Sequence, residues 1–111
     1  MEETMKEIIF NRDDYESYKD FYVQLYRELD GKSFGDWQAY ENLNYNASML
    51  DEFLWYNNDK IVKFVFIGFD LEKIKKQKTY DDYEYDIIFK VFDRVVSEYK
   101  NFTMEIIKER K

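Results

Sequence analysis

Lys63-Phe64-Val65-Phe66-Ile67-Gly68 is an unbroken apolar run after its lysine, closed by a glycine. Six residues are too few for an ordinary helix. An apolar run of this length without alternation is what a strand at the centre of a parallel sheet carries. Working outward, Phe69 to Gln77 reads as a short helix that sheds Lys73, Lys75 and Lys76 to solvent. The acidic run Asp81 to Asp86 then precedes the clearest helix of the chain. In it Tyr85, Ile88, Phe89, Phe92, Val95, Val96 and Tyr99 recur on one face, and Phe89, Phe92 and Val96 are expected in the core. Thr103 to Ile107 follows as a strand. Upstream of the central run, a helix is expected from Asn46, a candidate cap, to about Tyr56, where Asn57-Asn58-Asp59 stops it. Gly31 to Asn44 mixes turn residues with isolated Trp37 and Tyr40 and reads as a long irregular connection. Before it, Lys6 to Phe10 is a short β-rich segment and Asn11 to Asp14 supplies turn and cap chemistry. A helix from Asp14 carries Tyr18, Phe21, Tyr22, Leu25 and Leu29 inward and stops at Asp30-Gly31. Helices separate every pair of strands, so hairpins are excluded. The expected fold is α/β: a three-stranded parallel sheet packed with about four helices, in one domain over residues 1–111.

Bulk properties narrow the function. A chain of 111 residues can build one core but not two. No basic N-terminal region leads into an apolar run, and no uncharged stretch nears the roughly 20 residues of a membrane span, so a cytoplasmic protein is expected. With no cysteine and no histidine, disulfides, thiolate metal sites and the commonest catalytic base are excluded. No cofactor or metal is expected. Seventeen basic residues against 24 acidic ones give a net charge of −7. That balance disfavours nucleic acid and anionic membranes as partners and favours a basic protein. The charge is uneven: residues 1–59 carry 5 basic and 14 acidic side chains. Solubility of a Tyr-rich and Phe-rich protein accounts for such a surface as well as steering does.

The helix from Asn46 has two unlike faces. At about 100° per residue, Ala47, Leu50, Phe53 and Leu54 point inward. Tyr45, Ser48, Met49, Glu52, Trp55 and Tyr56 collect on the opposite face, with Asp51 on its shoulder. Large aromatics beside an acid match the composition of binding hot spots. The plainer alternative is that the preceding connection folds over this face and buries Trp55 and Tyr56 as core. Asp82, Glu84 and Asp86 alternate as calcium ligands would, but the loop glycine is missing, and acids at a helix start complement the helix dipole. The carboxylate pairs Asp51-Glu52 and Asp13-Asp14 point about 100° apart on a helix and cannot act on one bond, so an enzyme is not expected. Lys60 to Lys78 contains no arginine and is interrupted by the apolar strand, so it reads as a solvated face.

Asn46-Ala47-Ser48-Met49-Leu50-Asp51-Glu52-Phe53-Leu54 resembles the inhibitory helix of the barstar family, intracellular inhibitors of barnase-type ribonucleases. Lys63 to Glu72 is similar to that family's following strand and short helix. Ile88 to Ile107 resembles its last helix and strand, and Asp20 to Leu29 its first helix. The resemblance implies an immunity protein whose partner is a secreted ribonuclease toxin, with a monomer as the expected state. It implies that Glu52 mimics a substrate phosphate in the nuclease cleft, and that Tyr45, Asn46, Ser48, Met49, Asp51, Trp55, Tyr56 and Glu98 line the interface. The pattern departs from the family at Ser48 and Glu52, where aspartates are usual, at Asn44 in place of glycine, and at Arg94 in place of an acid. The alternative is a module of the same fold for a different basic protein.

Overall fold

The computed structural model describes residues 5–29 and 47–108. Its sheet consists of β1 (Lys6–Asn11), β2 (Val62–Ile67) and β3 (Phe102–Ile107), ordered β1-β2-β3 and parallel throughout. The central position of the Lys63–Gly68 run and the three-stranded parallel sheet are as the sequence predicts. Ile8, Phe64 and Met104 stand in register across the sheet, as do Phe10, Phe66 and Ile106. Ile8, Phe10, Val62, Phe64, Phe66 and Phe102 are buried on this face.

The opposite face differs from what an unbroken apolar strand suggests. There Ile9 is 48 % exposed, and Lys63 pairs with Glu105 at 3.0 Å across the surface. Val65 is buried between its register neighbours Ile9 and Glu105. The reason lies in topology. Both crossovers step in the same direction, β1 to β2 to β3, and crossovers of one hand and one direction deliver their helices to one side of a sheet.

The first crossover carries α1 (Tyr18–Glu28) and α2 (Ala47–Tyr56), the second α3 (Leu71–Lys75) and α4 (Tyr80–Glu98). A 3-10 turn at Arg12–Asp14 follows β1, so α1 begins four residues beyond the Asp14 start expected from the sequence. Ser17 and Asp20 form a capping box that fixes the later start: Ser17 Oγ accepts from Lys19 N at 3.3 Å, and Asp20 Oδ2 accepts from Ser17 N at 3.4 Å and from Glu16 N at 2.7 Å. Thr79 caps α4 through its side chain, its Oγ1 accepting from Asp82 N at 3.0 Å. The acidic run therefore occupies the first two turns of α4 instead of preceding it. Asp70 caps the short α3 through Lys73 N.

The core is aromatic. Phe92 of α4 meets Phe64 and Phe66 edge to face at 5.0 and 5.1 Å and Phe21 of α1 at 5.9 Å. Phe53 of α2 packs on Tyr26 of α1 at 4.7 Å. Phe89 and Phe92 are buried as expected, whereas Val96 is only half-buried at the margin of the cluster.

These aromatics give stability an alkaline limit. Burial raises the hydroxyls of Tyr15, Tyr22 and Tyr85 well above the ordinary 10.0, and a hydrogen bond to Glu84, with another to Tyr18, pushes Tyr80 up to about 12. The folded state thus keeps phenolic protons that the unfolded chain releases above pH 10. Stability is full below that pH and falls as pH rises past it. Tyrosinate absorbance from these residues is expected to appear together with loss of the helical circular dichroism signal. Titration of all 11 tyrosines near their ordinary value in an intact fold would contradict this.

Candidate functional site

α2 lies over α4 with Leu50, Phe53 and Leu54 fully buried beneath it. Its end is set by Asn57, itself buried, whose side-chain amide donates to Phe53 O at 2.9 Å while its Oδ1 accepts from Lys60 Nζ at 2.6 Å. Asn101 in turn donates to Asn58 O at 2.9 Å, joining the turn after α2 to the turn after α4. The helix is thereby anchored along its inner side and at its C-terminus.

Its outer side carries the residues singled out in the sequence. Ser48 and Glu52 are exposed and Met49 is half-buried. Trp55 and Tyr56 are 54 % and 56 % exposed and meet edge to face at 4.9 Å and 70°. Among the described residues, nothing covers these two rings as core. Tyr45, Asn46 and the connection 31–44, also assigned to this region from the sequence, lie outside the described residues. Asp51 sits on the shoulder, where its Oδ1 accepts from Arg94 Nη2 of α4. Arg94 Nη1 donates to Glu98 Oε2 at 3.4 Å, one turn further along α4. The hydrogen bond it donates to Asp51 raises the Arg94 guanidinium above its ordinary value. Two of the expected acids, Asp51 and Glu98, are therefore tied to a cation of the fold, and Glu52 is paired with none among the described residues. The Glu98–Arg94 contact has a local signal, the four-residue spacing. The Arg94–Asp51 contact has none, because the crossover brings together residues distant in sequence.

The other candidates are structural. Asp82 and Asp86 lie on the inner side of α4 and are buried, each with its own partners: Arg12 at 3.5 Å for Asp82, Gln77 at 2.6 Å and Lys90 at 3.2 Å for Asp86. Glu84 falls on another side of the helix, and among the described residues no three acidic side chains converge on a metal position. A polar hollow of about 180 Å³ opens where β1 and β2 end, lined by Arg12, Gly68, Asp70, Lys73, Ile74 and Asp82. It is smaller than typical ligand sites. Its two carboxylates are already used, Asp82 by Arg12 and Asp70 by the α3 cap and Lys108. No described helix is long and apolar enough to cross a membrane.

Among the described residues, the outer side of α2 therefore offers one uncompensated carboxylate beside two exposed aromatic rings, on a helix anchored from beneath. Such a surface suits protein recognition through charge and aromatic contact. Compared with protein-family models, with curated proteins and with solved structures, the chain matches none.

Proposed function

We propose that this protein is a cytoplasmic inhibitor of a cytotoxic ribonuclease, an immunity protein of the barstar kind that closes the enzyme's active site with α2. The observation that carries the reading is Glu52, exposed and unpaired among the described residues, on the same side of α2 as the half-exposed Trp55 and Tyr56. A nuclease cleft gathers cations to bind RNA phosphates, so a carboxylate on a firm helix is a suitable plug for it. The resemblance of residues 46–54, 63–72 and 88–107 to the barstar family supports the same reading, as does the order strand, two helices, strand, two helices, strand.

A second reading keeps the fold and changes the partner to a different basic protein. It is favoured by Arg94, which neutralises two of the acids that a strongly cationic cleft would engage.

The test is inhibition of a nuclease captured from the native host. Glu52→Gln keeps size and helix propensity and removes the charge, so folding is expected to survive. Inhibition is expected to weaken by more than about 1.5 kcal/mol, roughly tenfold or more in Kd, since the partner's cations lose charge-assisted hydrogen bonds. Association is expected to slow as salt rises, given the acidic excess of residues 1–59. Equal, salt-independent inhibition by both proteins would remove α2 as the inhibitory element.

A further inference from the structure

Three acids border the outer side of α2, and the fold treats them differently. The Arg94 guanidinium reaches from α4 to Asp51 with one nitrogen and to Glu98 with the other, and all three side chains remain 44 to 49 % exposed. Of these three acids, only Glu52 has no ion pair among the described residues. Trp55 and Tyr56 follow it by three and four residues, the spacing that puts helix side chains together. Their rings, set 70° apart, form an open corner. A carboxylate beside such a corner matches a guanidinium, whose planar fork bonds an acid while its face lies on an aromatic ring.

We infer that Arg94 makes the α2 face a one-cation site, which takes a single arginine side chain of the partner between Glu52 and the Trp55–Tyr56 corner. The inference rests on the reading of α2 as the binding face and adds what that face selects. Arg94 acts from within the fold as the counterion that a second and third partner cation would otherwise supply. A partner surface with several adjacent cations gains little more at this face than one with a single arginine, because Asp51 and Glu98 are already paired with Arg94.

Two blocked pentapeptides serve as probes: one with a single central arginine among glycines, one with three consecutive arginines. They are titrated at low salt into the wild type, Arg94→Met and Glu52→Gln, following the Trp55 indole and Tyr56 ring resonances. Arg94 makes exposed ion pairs, which contribute little to folding, and methionine retains an apolar stem of similar length. Arg94→Gln is a second variant with the same expectation. Wild type is expected to bind both peptides within about threefold of each other, the statistical advantage of three equivalent groups over one. Both Arg94 variants are expected to favour the three-arginine peptide by about tenfold, as two freed acids add their attraction. If the Arg94 variants keep the wild-type ratio while Glu52→Gln loses binding, the one-cation inference is overturned and the α2 face stands. If Glu52→Gln binds both peptides as the wild type does, the α2 reading fails and takes this inference with it.

Discussion

Phe92→Ala is expected to destabilise the fold by about 3 to 5 kcal/mol, because it opens a cavity where three elements meet. Phe92 is fully buried and touches the rings of Phe21, Phe64 and Phe66, so α1, α4 and β2 all lose contact at once. Rings held edge to face around it cannot readily collapse into the space. Domains of this size have stabilities on the order of 5 to 15 kcal/mol, so the variant is expected to melt at least about 10 °C lower. Asp93→Ala, one residue along and exposed, serves as control and is expected to stay within about 0.5 kcal/mol. Thermal unfolding followed by circular dichroism decides the matter. Identical melting of the Phe92 variant and the wild type would mean that the aromatic cluster is not the centre of stability.

Arg12→Ala is the second large effect, and its cause is electrostatic. Arg12 stands over the ring of Tyr85 at 4.6 Å and near that of Phe69 at 5.9 Å, and pairs with Asp82, whose side chain is only 4 % exposed. Removing the guanidinium leaves a carboxylate in a nearly dry position with no cation beside it. A loss of about 3 kcal/mol is expected, the cost of a buried charge stripped of its partner. A second substitution identifies the source. Arg12→Ala combined with Asp82→Asn removes the stranded charge as well, so the double variant is expected to be more stable than Arg12→Ala alone. Urea unfolding of the wild type and the three variants completes a double-mutant cycle. A double variant no more stable than Arg12→Ala would assign the loss to the aromatic contacts instead.

The elements were legible where a single local rule governs them. The uninterrupted apolar run placed β2 at the centre, and the 3.6-residue repeat placed Leu50, Phe53, Leu54, Phe89 and Phe92 in the core. Helix starts were legible less well, because several cap residues compete in one stretch. Asp14 has cap chemistry, but Ser17 with Asp20 three residues later makes a reciprocal box and wins. Thr79 with Asp82 offered a comparable signal ahead of α4, masked by reading the acidic run as a prelude to the helix. The exposed face of the sheet was hidden by β2 itself, whose apolar composition says nothing about which crossovers cover it. Of the site, the outer side of α2 followed from helical geometry alone. The grip of Arg94 on Asp51 did not, since only the tertiary fold brings them together.

The register of the sheet has a consequence for how fast the chain folds. Lys6 pairs with Val62, and Val62 with Phe102, so every ladder contact closes a long loop and none is local. The entropy of closing such loops must be spent before the strands return any stabilisation, which slows the folding of parallel sheets relative to helical bundles. Residues of α4 and β2 that meet within one crossover, Phe66 with Phe89 and Phe92, are closer in sequence than any pair of strand partners and are placed to start the process. β1 has the longer loop to close and is expected to dock last. Refolding rates are therefore expected to fall more for a truncation at Phe89 than for one at Ile8 of equal cost in equilibrium stability.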